Sequence, residues 1–288
     1  MVRMQTSDAK RALAAGVAIA VLALWPAGAA ETKPAMIPVF SPDPETGWVP
    51  DRPTGDDFIP PESGPGPVMS VKDHPYTPNG IGEQQTYRVA DTSNPILMPW
   101  VSAQMEKANA DVRKGEIPYI VRERCWPAGV PAYAVYTRIQ PNFILQTDRE
   151  VVFINELNTQ FRHVYLNVPH SKNPKPSWYG ESVGHYEGDE LVVDTIGLND
   201  KTYVDNYRTP HTDKIHVIER FKLIDGGNIL QDTLWVEDPG AFKMPWTAVQ
   251  RWRKVHIPPL FEYLCESSNL DYFTYSVAPS PVAAKPDF

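Results

Sequence analysis

The sequence has 288 residues, of which 42% are hydrophobic and 22% are charged, a composition typical of a folded globular protein. Its 27 basic and 35 acidic residues give a net charge of −8. This charge argues against nucleic-acid binding, because nucleic-acid-binding domains carry a basic surplus that neutralises phosphates. The 30 prolines predict few long helices, since proline interrupts the interior of a helix.

Residues 1–30 have the pattern of a secretory signal peptide. Three basic residues within the first eleven precede an apolar run over residues 12–25, and small residues follow it. The run is shorter than the roughly 20 residues that a membrane-spanning helix needs. We therefore expect export to the periplasm or the medium, with cleavage near Ala29 or Ala30 and no membrane span in the mature chain.

Export bears on the only two cysteines, Cys125 and Cys265. Disulfides persist outside the cytoplasm, so this pair predicts one bridge that closes a long loop. Two free buried thiols are the alternative. Neither cysteine lies in a recognisable nucleophile motif, which disfavours a reactive thiol.

Proline is concentrated in residues 31–90, which we interpret as an extended arm. The arm is either disordered or lies along the body, where Trp48, Phe58 and Tyr76 would anchor it. Residues 91–277 are predicted to form a single β-barrel domain, and residues 278–288 a loose tail.

One helix is predicted near the start of that domain. Apolar residues recur at helical spacing over residues 96–114, Pro99 suits a first turn, and Gly115 suits the end of a helix. From about residue 133 the apolar period changes to two, which is typical of strands. The predicted strands cover residues 143–146, 151–156, 161–167, 185–187, 191–196, 214–223, 229–236 and 248–256. Many short strands at even spacing favour a mainly β fold: an antiparallel, lipocalin-like or calycin-like barrel, with a β-sandwich as the alternative.

The sequence lacks the common cofactor and nucleophile motifs. GxGxxG, GxxxxGK[ST], GxSxG, HExxH and CxxCH are all absent, so we predict no cofactor and either a cofactor-independent reaction or simple binding. A metal bound by His211, Asp213 and His216 fits the spacing of a loop-to-strand turn but is the less favoured alternative.

Polar residues concentrate between residues 167 and 220, and they form the predicted site. A histidine–carboxylate pair there would act as a general base, and Arg220 or Arg162 would stabilise an oxyanion. The predicted catalytic residues are His216, Glu219, Arg220, His211 and Asp194. The predicted substrate-binding residues are Arg162, His170, Trp178, Tyr179, Tyr186, Asp200 and Tyr203. The alternative interpretation makes Asp194 a turn cap, and makes Glu219 and Arg220 a surface ion pair between strands.

Three motifs resemble those of a large, mostly uncharacterised family of exported bacterial proteins that is frequent in soil organisms. RCWPAGVP at residues 124–131 resembles the family's RCxPxGxP, and PSWYGESVGHYEGDELVVDT at residues 176–195 resembles P[ST]WxGxSxGxWEGDxLVVDT. PHTDKIHVIERF at residues 210–221 resembles PHSDxLHVxERF. Tyr186 stands where tryptophan is usual and Tyr179 where methionine is usual. The resemblance covers roughly residues 90–266 and implies export and a shared scaffold, without a reaction.

The first functional hypothesis is a cofactor-independent lyase that acts on a small aromatic compound, with a retro-aldol cleavage that releases formaldehyde from a hydroxymethyl group. Lignin-derived phenolic dimers are the expected substrate class. A non-catalytic barrel that binds or delivers an apolar or aromatic ligand is the alternative, and a structural barrel is a third hypothesis. The sequence leaves the oligomeric state open.

Overall fold

The computed structural model describes residues 37–51, 57–75, 88–116, 121, 125–135, 141–155 and 160–257. All of them belong to the compact unit Ala35–Phe288. The predicted signal peptide, Tyr76, Cys265 and the C-terminal tail lie outside the described residues. Cys125 takes part in a disulfide.

Nine strands form a closed barrel in which each strand pairs with the next one along the chain, and the last strand pairs with the first. The strands are β1 (Thr46–Pro50), β2 (Asn142–Gln146), β3 (Glu150–Asn155), β4 (Gln160–Leu166), β5 (Glu181–Glu187), β6 (Glu190–Ile196), β7 (His216–Ile224), β8 (Ile229–Glu237) and β9 (Trp246–His256). The prediction of a mainly β barrel is confirmed, and the sandwich is wrong.

The barrel is mixed, so the prediction of an antiparallel-only sheet is wrong at one position. Strands β4 and β5 run parallel, with Val164 opposite Ser182 and Leu166 opposite Gly184. A parallel pair needs a crossover of about a dozen residues or more. Residues 167–180 form that crossover along the outside of the barrel. The alternation of apolar and polar residues within a strand does not show whether the next strand runs parallel or antiparallel to it.

Strand β1 closes the barrel and comes from the proline-rich segment for which the sequence predicts an extended arm. It pairs with β9 along five residues and with β2 through Trp48 and Asn142. The Trp48 side chain is completely buried, and its indole N–H donates to the Phe40 carbonyl at 3.1 Å. Burial of a side chain of this size contributes about 1.5–3 kcal/mol or more, which explains why a proline-rich segment is held in the sheet.

Within the described part of the chain, one α-helix is present, α1 (Pro99–Arg113), which lies inside the predicted range. Its buried residues recur at helical spacing: Val101, Met105, Asn109 and Val112. The Asn109 amide accepts from the Ala90 N–H at 2.8 Å and donates to the Ala90 carbonyl at 2.9 Å, which fastens the helix to the preceding segment. No helix among the described residues is both long and apolar enough to cross a membrane.

Candidate functional site

A pocket of about 420 Å³ lies outside the barrel, between α1 and the loop of residues 199–213. This volume falls in the range of small-molecule sites, which measure roughly 300–1,000 Å³. Its lining residues come from these two elements alone: Trp100, Gln104, Asp200, Lys201, Thr202, Tyr203, Pro210, His211, Thr212 and Asp213. We call it the α1 pocket.

Both walls of the α1 pocket are tied to one turn that follows β8. On the helix side, the Trp100 indole N–H donates to the Gly240 carbonyl at 2.8 Å. On the loop side, Thr212 donates from its backbone N–H and its hydroxyl to the two carboxylate oxygens of Asp238, at 2.6 and 2.7 Å. The shared turn fixes the distance between the walls, so the pocket is largely preformed.

A buried carboxylate organises the loop beneath the pocket. Asp205 accepts from the Tyr207 N–H at 2.8 Å, and from the Thr209 N–H and hydroxyl at 3.1 and 2.7 Å. These bonds close a tight loop whose ends meet in a bridge between Tyr203 and Pro210. Burial raises the pKa of Asp205, and its hydrogen bonds oppose that shift.

His211 is buried beside this pocket, and both of its ring nitrogens have partners. Its Nδ1 lies 2.9 Å from the Thr212 carbonyl, which can only accept, so Nδ1 carries the proton. Its Nε2 lies 2.7 Å from the Thr202 hydroxyl. In the neutral ring Nε2 is therefore the acceptor, and the Thr202 hydroxyl donates to it.

The surroundings of His211 favour the neutral ring. Burial lowers the pKa of His211 below its usual value of 6.5. The hydrogen bond to the Thr212 carbonyl and the charges of Asp238 and Asp200 oppose this shift without reversing it. At neutral pH the ring thus presents an unprotonated nitrogen to the Thr202 hydroxyl, the protonation state that a general base requires.

The structure brings together three of the predicted site residues in the α1 pocket, namely His211, Asp200 and Tyr203. Sequence analysis missed Thr202 and Trp100. The helical spacing of residues 96–114 includes Trp100 among the apolar positions, whereas its side chain is 42% exposed. The exposure of this side chain depends on how α1 packs against the rest of the chain, which the sequence pattern does not show.

Two further predicted residues, Arg162 and Glu219, lie in the barrel interior. Arg162 binds Glu219 through both terminal guanidinium nitrogens, and it also donates hydrogen bonds to the hydroxyls of Ser182 and Thr195. The Tyr133 hydroxyl also donates to Glu219, at 3.2 Å. Burial lowers the pKa of Arg162, but the Glu219 charge and hydrogen bond outweigh burial and raise it. This is a satisfied ion pair of the kind that buried charges require.

A second buried carboxylate, Asp232 on β8, lies in the same interior. Neither of its oxygens makes a hydrogen bond of normal geometry with the described residues. Burial raises the pKa of Asp232 well above its usual value, and the Glu219 charge raises it further; Arg162 and the Arg220 N–H only partly offset this. Burial thus favours the protonated form of Asp232, which lies in no motif that would have selected it from the sequence.

One cavity that described residues line in the barrel is small. Its volume is about 10 Å³, which is roughly the room for one water molecule. Aromatic side chains form most of its lining: Trp48, Tyr133, Phe153, Phe221 and Trp252.

Asp194, His216 and His170 meet on the outer face of the barrel. The His216 and His170 Nε2 atoms lie 2.9 and 3.1 Å from the same Asp194 oxygen, and His170 Nδ1 lies 3.0 Å from Glu181. A contact between a histidine and a carboxylate thus links His216 on β7 to Asp194 on β6. Glu219 faces the opposite side of β7, into the barrel, so the predicted catalytic set is divided between two faces.

The remaining predicted residues lie apart from the α1 pocket. Arg220 is 41% exposed and binds Glu187 and Glu190 at 2.7 and 3.0 Å. It therefore forms ion pairs at the surface, as the alternative interpretation predicts, but its partners are these two residues and not Glu219. Trp178 packs against Trp126 with ring centroids 5.1 Å apart.

Two predicted tyrosines bond to other strands. Tyr179 donates to the side-chain oxygen of Gln160, and burial raises its pKa. The Tyr186 hydroxyl accepts from Gln146 at 2.9 Å. Both side chains pack against the edge of the core, so their role in the described structure is to hold the sheet.

The described residues contain no cluster of three or more His, Cys, Asp and Glu side chains arranged to hold a metal ion. No protein-family model, curated protein or solved structure matches this chain. The family resemblance therefore rests on the three motifs themselves. Two of them reach the α1 pocket, since PHTD at residues 210–213 lines it and Gly129 of RCWPAGVP packs against Thr202.

Proposed function

We propose that the protein is a cofactor-independent lyase that uses acid–base chemistry on a small hydroxylated aromatic compound in the α1 pocket. One observation carries this proposal: His211 is neutral, fixed in one tautomer, and bonded to a hydroxyl that lines a 420 Å³ pocket. The proposal includes export, on the pattern of residues 1–30 and the disulfide at Cys125.

The chemistry needs only a proton relay. The substrate is an aryl β-hydroxy ketone that carries a terminal hydroxymethyl group. Thr202 accepts the hydroxymethyl proton as it passes its own proton to His211 Nε2. The bond between the hydroxymethyl carbon and its neighbour then breaks, formaldehyde leaves, and the electron pair becomes an enolate. The proton on His211 returns through Thr202 to the enolate carbon, so the reaction is balanced without a cofactor.

The lining of the pocket supports this substrate class. Trp100 offers a half-exposed indole whose orientation is fixed by the Gly240 carbonyl, a suitable platform for an aromatic ring. Lys201 lies in the same lining and supplies a positive charge toward a developing enolate oxygen. Asp200 and Asp213 also line the pocket, and their charges disfavour substrates that carry a carboxylate.

The alternative is a ligand bound within the barrel, as in lipocalins. It has the support of an aromatic lining, but that cavity measures about 10 Å³, too small for an aromatic ring without rearrangement. The α1 pocket is therefore the better-supported site.

The test is incubation of the purified protein with aryl β-hydroxy ketones, without added cofactor. We expect a substrate mass loss of one CH₂O by mass spectrometry, together with formaldehyde captured by dimedone. His211→Gln should lower turnover about 100-fold or more, the range for loss of a general base.

His163→Gln is the matched control, since His163 is an exposed histidine on β4 that pairs with Glu150 at 2.9 Å. Turnover that survives His211→Gln would refute the assignment of the base. Raised thermal stability in the presence of the compound without turnover would instead indicate a binding protein.

A further inference from the structure

Thr202 in the α1 pocket is placed to do more than relay a proton. Its hydroxyl lies 2.7 Å from His211 Nε2, and the other ring nitrogen of His211 donates to the Thr212 carbonyl. A hydroxyl, a histidine base and a group that orients the base form the arrangement of an activated nucleophile.

We propose that Thr202 is a covalent nucleophile and that the α1 pocket also catalyses acyl transfer from aryl esters to water. This activity goes beyond the lyase reaction, although both use Thr202 and His211. Covalent attack requires a hydroxyl that is held in place, not merely one that is nearby.

The backbone at Gly129 packs closely against the Thr202 side chain and restricts its movement. Gly129 packs against it so closely that a Cβ at position 129 would lie 2.8 Å from Thr202 Oγ1 and 3.1 Å from the Trp178 carbonyl. Gly129 also has φ of +76°, a conformation that favours glycine. The backbone of residue 129 thus packs against one side of the Thr202 side chain. The Thr202 hydroxyl forms its hydrogen bond with His211 Nε2.

The base is supported in the same way. Asp238 accepts hydrogen bonds from both the N–H and the hydroxyl of Thr212, so it fixes the position of Thr212. The Thr212 carbonyl in turn orients the His211 ring. Asp238 therefore acts through Thr212 and does not touch the imidazole. Thr202, His211, Thr212 and Asp238 form one continuous chain of hydrogen bonds from the pocket to the turn after β8.

The reaction balances with water as the only co-reactant. Thr202 Oγ attacks the ester carbonyl carbon while its proton passes to His211 Nε2. The bond from that carbon to the aryl oxygen breaks, and the departing phenolate takes the proton from His211. Water, deprotonated by His211, then attacks the acyl-threonine, releases the acid and restores the Thr202 hydroxyl.

The test uses the full chain with excess para-nitrophenyl acetate, quenched in acid. We expect a burst of nitrophenolate, one added acetyl group per chain by intact mass spectrometry, and a modified peptide that contains Thr202. Thr202→Ser should retain the adduct at the same position. Thr202→Val, which has the same shape without the hydroxyl, and His211→Gln should lose it and slow ester hydrolysis about 100-fold.

Thr147→Val is the control, because Thr147 is an exposed threonine in the β2–β3 turn that bonds only to its own turn. An acetyl group on another residue, an adduct that persists in Thr202→Val, or no adduct in the unmodified protein overturns the proposal. If Thr202→Val does not fold, Thr202→Ser and His211→Gln decide the matter. Formaldehyde release is measured separately, so a protein that cleaves ketones but forms no adduct refutes only the nucleophile, and the reverse result refutes only the lyase.

Discussion

Arg162 on β4 holds Glu219 on β7 through both terminal nitrogens of its guanidinium, across the interior of the barrel. Both side chains are almost completely buried. Removal of one charge from such a pair leaves the other uncompensated, which costs about 3–5 kcal/mol. We therefore expect Glu219→Gln to lower the free energy of unfolding by about this amount in urea or guanidinium titrations.

Arg220 provides the comparison, since it is the next residue on β7 and faces solvent. Its ion pairs with Glu187 and Glu190 are exposed, and such pairs contribute about 0–1 kcal/mol. Arg220→Gln should change the free energy of unfolding by no more than this. Equal losses in the Glu219 and Arg220 variants would show that the buried pair has no special weight in stability.

Asp232 makes stability depend on pH. Its pKa is raised in the folded protein, mainly by burial, whereas in the unfolded chain it stays near the usual value of 3.8. At a pH between these two pKa values, the Asp232 carboxyl is ionised in the unfolded chain but protonated in the folded protein. The contribution of Asp232 to stability is therefore fully present below pH 3.8 and falls by about 1.4 kcal/mol per pH unit above it, until the pH passes the raised pKa of the folded protein.

Asp232→Asn keeps the shape of the side chain and removes this titration. We expect the variant to be more stable than the parent at neutral pH, with a gain that grows as the pH rises toward the raised pKa. Thermal melts over a pH series measure it, and Asp189→Asn at an exposed turn is the control. A gain that is constant with pH would indicate that Asp232 is ionised in the folded protein.

Much of the barrel follows from local patterns in the sequence. On β7, Val217, Glu219 and Phe221 alternate with exposed or half-buried residues, and the predicted strand matches the observed one closely. The alternation also separates Glu219 from His216. It cannot say which face is inside, because both faces carry apolar and charged residues.

Pairings between distant segments were not predictable in the same way. β1 contains a proline and follows others, so local pattern argues against a strand, and only the burial of Trp48 against distant strands explains it. The parallel β4–β5 pair depends on the path of the crossover. The Thr202–His211 contact depends on the loop that Asp205 closes. Neither a threonine nor a histidine in the sequence predicts such a loop.

The pH dependence of turnover should report on His211. Because burial lowers its pKa, activity is expected to persist below pH 6.5 and to fall only as the pH drops through the lowered value. Asp200 lines the pocket, and its charge raises the pKa of His211. Asp200→Asn should therefore shift the acidic limb of the kcat profile to still lower pH.

The distant, exposed Asp189→Asn serves as the control for that experiment as well. An unchanged acidic limb in Asp200→Asn would mean that the profile belongs to a group other than His211. A shift to higher pH would contradict the electrostatic argument, since removal of a nearby negative charge cannot favour the imidazolium.

His170 fastens the crossover of residues 167–180 to the barrel. Glu181 and Asp194, which contact its two ring nitrogens, are acceptors when ionised, so both bonds form only when both nitrogens carry protons. The Ser171 N–H also donates to Glu181, at 2.7 Å, and this bond is the main cause of the lowered pKa of Glu181; the His170 bond lowers it further.

His170→Ala should therefore free the crossover and remove both contributions together. We expect the pKa of Glu181 to rise toward its usual value of 4.5, followed by carboxyl carbon chemical shifts, and the Ser171 amide to exchange with solvent faster. His185→Ala is the matched control, because His185 on β5 pairs with Glu187 and does not contact the crossover. Unchanged exchange at Ser171 in His170→Ala would show that backbone bonds, such as those to Gly184, Gly197 and Asn199, hold the crossover without His170.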